Sequence, residues 1–211
     1  MQVRTRWNST RRKLLSWATA TSLLIGFTQL AVAAEKLLPK FEEVAAFLQA
    51  DLAKQPGWKP GHIISQKQVV PALDGMAKLG WTLAEKKTLL ERVPADDDFL
   101  VKELQTPVGR KFMDQIAKYP LAYDRLERMA GLPRGQQMVH DLVHDKGGYK
   151  MVEYLTMTDG GKNMGQMLGK TAKGVDFNKP TGKLYTLAAL ETQLRKSHQA
   201  ALAQTKKLKQ K

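Results

Sequence analysis

Beyond about position 38, apolar residues recur at intervals of three and four along almost the whole chain. No stretch shows the strict alternation of a half-buried strand. Phe41, Val44, Ala45, Leu48 and Leu52 make one stripe on a helix expected over about 39–54, which Pro56-Gly57 stops. Ser65 stands three residues before Gln68, a capping-box spacing that opens a helix, and Pro71 inside it predicts a kink or a restart. Gly80 ends that helix, with Trp81 placed to fold back on it. Thr82 and Glu85 repeat the box and open a helix reaching about Val93.

Pro94 to Asp98 reads as a turn and an acidic helix start, because carboxylates favour the positive end of the helix dipole. Thr106-Pro107 opens the next helix, with proline suited to the first helical position. Further helices are expected over 120–129 and 134–145. Then Gly147-Gly148-Tyr149-Lys150-Met151 is echoed thirteen residues later by Gly160-Gly161-Lys162-Asn163-Met164, each copy closing on a leucine. Two copies predict two short helices stacked by one rule rather than a solenoid. A last helix is expected over about 183–204, carrying Leu184, Leu187, Leu190 and Leu194. The pattern predicts an all-α protein, a compact orthogonal bundle of about eight to ten short helices.

The first 34 residues are of another kind. Arg4, Arg6, Arg11, Arg12 and Lys13 precede a chargeless stretch from Leu14 to Ala34, and no acid appears before Glu35. The stretch closes on Ala31-Val32-Ala33-Ala34, which offers cleavage after Ala33 or after Ala34. Thr10-Arg11-Arg12-Lys13-Leu14-Leu15, followed by an apolar region diluted with serine and threonine, resembles a twin-arginine signal peptide. That resemblance covers the leader alone and implies export to the periplasm or the cell exterior. The general secretory route is the alternative. An uncleaved leader would be a membrane anchor, since its 21 uncharged residues could span a bilayer. The expected organisation is a signal peptide over 1–34, one helical domain over 35–205, and a basic disordered tail over 206–211.

The formal net charge of the whole chain is +14, from 34 basic and 20 acidic residues; losing the leader's five basic residues leaves +9. That balance suits an anionic polymer as partner, with another exported protein as the other option. Arg125, Arg128, Arg134, Lys206 and Lys207 are candidates for anion contacts, although Asp124 and Arg128 are also spaced to pair with each other. No aromatic interleaving marks a nucleic-acid groove, which argues against nucleic acid. The chain has no cysteine. Disulfides, thiolate metal sites, a cysteine nucleophile and lipidation at the cleavage site are therefore excluded.

His140-Asp141-Leu142-Val143-His144 is the sharpest chemical signal. Histidines four apart share one helix face and can grip one metal, as in the H-E-x-x-H zinc enzymes. Here aspartate replaces the glutamate base, and no third ligand stands at the usual downstream spacing. At about 100° per residue the two rings point about 150° away from the apolar face of their helix. Met138, Met151, Met157, Met164 and Met167 could hold copper(I) with imidazoles, or simply fill gaps between short helices. Gly165 to Thr171 looks like a phosphate-binding loop but has one residue too few between its glycines. No serine-based nucleophile motif is present. The leading expectation is an exported, non-enzymatic binding or structural module; the alternative is an extracytoplasmic protein binding zinc or copper through His140 and His144.

Overall fold

The computed structural model describes residues 41–78, 86–171 and 175–209. Among them are ten α-helices and no strand, so the all-α bundle is what forms. The helices are α1 Phe41–Ala53, α2 Gln66–Lys78, α3 Lys86–Arg92, α4 Phe99–Leu104, α5 Pro107–Ile116, α6 Ala122–Ala130, α7 Gly135–His144, α8 Gly148–Met157, α9 Asp159–Thr171 and α10 Leu187–Lys209. The leader, with Arg11, Arg12, Ala33 and Ala34, lies outside the described residues, as do Gly80, Trp81, Thr82 and Glu85. No helix among the described residues is long and apolar enough to cross a membrane. The chain divides into two units: Lys40–Arg195, and Met1–Pro39 with Lys196–Lys211. In the second unit the described residues, 196–209, are helical.

Caps set the helix starts in the larger unit. Gln68 Oε1 accepts from the Ser65 N–H at 2.9 Å, which is half of the capping box. The Ser65 hydroxyl instead donates to Asp96 at 2.7 Å, and Asp96 also accepts from the Lys67 N–H at 3.1 Å. An acid from a later loop thus caps α2, and the helix runs through Pro71 without restarting. Asp98 caps α4 through the Leu100 N–H at 2.9 Å, and Thr106 caps α5 through the Gly109 N–H at 3.0 Å. The phosphate-loop lookalike at 165–171 lies within α9, where its backbone is committed to helix.

Two hydrophobic clusters fill this unit. One joins α1, α2 and α3 to Leu184, Leu187, Leu190 and Leu194; the other joins α4 to α8 with Phe177 and Tyr185. Extended segments divide them, because successive side chains on extended chain point opposite ways. Ile63 enters one cluster and Ile64 the other, and Tyr185 and Leu184 separate likewise. The Ile64 N–H donates to the Tyr185 carbonyl at 2.8 Å, and the Leu184 N–H to the Arg92 carbonyl at 2.7 Å. These bonds hold Leu184 and Tyr185 out of the helix. α10 therefore begins at Leu187 rather than 183, and it continues to Lys209.

The thirteen-residue echo belongs to a longer series. Gly109, Ala122, Gly135, Gly148 and Gly161 are thirteen residues apart, all buried, and each lies at or near the start of a helix from α5 to α9. Three residues on stand Phe112, Arg125, Met138, Met151 and Met164; seven on stand Ile116, Met129, Leu142, Leu155 and Leu168. Prolines occupy the position two before the glycine in the first three copies, Pro107, Pro120 and Pro133. The glycines are required by close approach. A Cβ on Gly135 would fall 1.8 Å from the Met129 carbonyl oxygen, on Gly148 1.8 Å from that of Leu142, and on Gly161 2.0 Å from that of Tyr154. Each helix start is thus pressed against the end of the helix before it. One packing rule is reused down the stack, as in helical repeat proteins.

Candidate metal centre

His140 and His144 lie on α7, one turn apart, with ring centroids 4.2 Å from each other. They meet Glu103, the penultimate residue of α4. Its Oε1 accepts from His140 Nδ1 at 3.0 Å and from His144 Nε2 at 3.1 Å. The carboxylate side chain is 13% exposed and the imidazoles 47% and 43%, so the acid is seated in the protein and the rings lean over it from the solvent side.

The repeat packing places Glu103. A Cβ on Gly109 would lie 2.4 Å from the Glu103 carbonyl oxygen and 2.5 Å from Leu104 Cα, so glycine is what lets α5 close on the end of α4. Leu104 is buried in the same cluster as Val139 and Val143 of α7. Those two valines turn inward, and both histidines stand about 100° further round the helix, on the side that meets Glu103. The third ligand position that spacing rules look for downstream is filled from upstream, 37 residues before His140.

Two of the three donor-to-donor edges are near those of a metal site. One donor atom from each of the three residues can be chosen so that all lie within 4.8 Å of one another. A tetrahedral zinc with bonds of about 2.0–2.1 Å sets its ligand atoms about 3.3 Å apart. The observed 3.0 and 3.1 Å carboxylate-to-imidazole separations differ from that edge by only a few tenths of an ångström. Without a metal, both ring nitrogens must carry protons to donate; a metal would displace both protons and take the same three atoms.

Asp141 does not join them. Its Oδ1 accepts from Gln137 at 2.7 Å, and it lines a cleft on another side of α7 together with Met138 and Leu142. The likeness to H-E-x-x-H enzymes therefore fails at the general base. Copper(I) held by methionine and histidine together is disfavoured on the same ground, since Met138, Met151 and Met164 line that cleft.

Two of the expected anion contacts are corrected. Arg125 is buried: its Nη1 donates to the Leu155 carbonyl and its Nη2 to Asn178 Oδ1 at 3.1 Å. Burial pulls its pKa below the usual guanidinium value. Arg128 does not pair with Asp124; its Nη2 donates to the Lys179 and Pro180 carbonyls at 2.8 and 3.2 Å. Asp124 accepts from the Thr181 N–H at 2.6 Å and from its hydroxyl at 2.9 Å. All three residues fasten the 176–181 loop: Arg128 through its backbone carbonyls, Arg125 through the Asn178 side chain, and Asp124 through Thr181. Arg134 and Lys207 are exposed.

His62 is engaged elsewhere. It is buried, and its Nε2 lies 2.7 Å from Asp114 Oδ1, whose other oxygen takes Lys59 at 2.6 Å. The hydrogen bond from Lys59 holds the Asp114 carboxyl below its ordinary pKa against the opposing effect of burial, and the hydrogen bond from His62 adds to the lowering. No protein-family model matches the chain, and no similar curated protein or solved structure is found.

Proposed function

We propose that this chain is an exported, non-enzymatic binding protein whose Glu103–His140–His144 cluster takes one divalent transition metal, with zinc the best fit. The observation that carries the reading is the shared Glu103 oxygen at 3.0 and 3.1 Å from two imidazole nitrogens. Two imidazoles and one carboxylate are a donor set suited to zinc, and three protein ligands leave a fourth position for water or a partner's side chain. Export rests on the leader's basic start, apolar middle and alanine-rich end.

Metal analysis tests the reading. The purified chain should take up one zinc per molecule, and His140→Ala/His144→Ala should abolish uptake without unfolding the bundle, since both rings are about half exposed. Glu103→Gln keeps the shape of the side chain and removes its charge, and should weaken binding at least about tenfold. Full-affinity zinc binding by the double histidine variant would overturn the assignment.

A further inference from the structure

The repeat builds a second feature, on another side of α7. Its third and seventh positions after each glycine line up across α6 to α9 and enclose a cleft of about 370 Å³. Met138, Met151 and Met164 form successive rungs of the wall, over Met129, Leu155 and Leu168. At the corresponding position of the two earlier copies the side chain is covered: Phe112 is packed in the core and Arg125 is closed over by Asn178. The three methionines remain between 40% and 43% exposed. Tyr154, Met157 and Met167 extend the apolar exposure along α8 and α9.

Among the described residues, the charged ones lining the cleft are Asp141 and Asp145, on a chain whose formal net charge is +14. An apolar trough edged by acids repels anionic headgroups and favours cations. Methionine suits such a surface, because its unbranched thioether adapts to different partner side chains. The rungs come from successive packed helices, which stand about 8–10 Å apart. A partner helix advances about 10.5 Å in seven residues, so one apolar residue per heptad can meet each rung.

We propose that this cleft is a docking groove for a basic amphipathic helix of a partner protein, its apolar face against Met138, Met151 and Met164 and its lysines or arginines beside Asp141 and Asp145. The site is separate from the Glu103–His140–His144 cluster, and neither reading depends on the other.

The probe is a synthetic leucine–lysine amphipathic peptide of about 18 residues, roughly five helical turns, titrated into the full chain with its methionine methyl groups ¹³C-labelled. The methyls of Met138, Met151 and Met164 are expected to shift. A leucine–glutamate peptide of the same pattern should bind at least about tenfold more weakly at low salt. Asp141→Asn/Asp145→Asn should erase most of that preference. Met138→Gln/Met151→Gln should weaken the leucine–lysine peptide at least about tenfold with the melting temperature little changed, because both side chains are already partly in water. Zinc uptake by these variants should match that of the unaltered chain. Equal binding of the two peptides would overturn the proposal, as would silence of those three methyls. So would tighter binding to phosphatidylglycerol vesicles, or occupation of the groove by a second copy of the chain.

Discussion

Glu103 and His140 stand 37 residues apart in the sequence and meet at 3.0 Å in the fold, joining the end of α4 to the outward side of α7. What brings them together is the packing of small residues at helix starts, and that packing is testable away from the cluster itself.

Gly147 and Gly148 are neighbours with opposite duties. A Cβ on Gly148 would collide with backbone at 1.8 Å, whereas on Gly147 it would meet Asp145 Oδ2 at an ordinary 3.6 Å. Gly148→Ala should cost about 2–3 kcal/mol, as overpacking against an immovable carbonyl does. Gly147→Ala should change stability by less than about 0.5 kcal/mol. Urea unfolding of the two variants checks the contrast.

Arg134 has φ of 60°, the left-handed region, as does Leu121 thirteen residues earlier at 58°. The fourth copy has Gly147 at the corresponding place, in the right-handed region with φ of −100°. A non-glycine residue in the left-handed region carries about 1–2 kcal/mol of strain, and glycine's extra unfolded-state entropy returns part of it. Arg134→Gly should therefore stabilise the fold by roughly 0.5–1 kcal/mol, read as a rise in melting temperature. A fall would show that the Arg134 side chain makes a contribution larger than its strain.

Asp114 supports buried His62, and its depressed pKa fixes the sign of a pH effect. Its contribution is fully present above the unfolded carboxyl value, near 3.8, and is lost as pH falls through the lower folded value. Asp114→Asn should cost about 0.5–1.5 kcal/mol at pH 7, since the amide still accepts from the buried ring and the side chain is partly exposed. The gap between variant and parent should narrow below about pH 4. Denaturation midpoints at pH 7 and pH 3 measure it.

The periodicity and caps made the helices legible: Asp98 and Thr106 act where helix-start chemistry puts them. Glu103 was not legible, because no local spacing links the end of a six-residue helix to a histidine pair three helices later. The longer repeat was masked because its second copy has Ala122 for glycine and Arg125 for methionine, leaving only the two most alike copies in view. Arg125 and Arg128 read as surface cations because charge is usually solvated; the carbonyls of Leu155, Lys179 and Pro180 that bind them come from distant segments.

The most direct test of the metal assignment is ¹⁵N NMR of the histidine ring nitrogens during zinc titration of the full chain near pH 7. The account predicts that His140 Nδ1 and His144 Nε2 shift to metal-bound positions together and saturate at one zinc per chain, while His62 keeps its signals. Zinc that leaves both of those nitrogens unmoved, in a chain that remains folded, would contradict it and leave Glu103 as a clamp between α4 and α7.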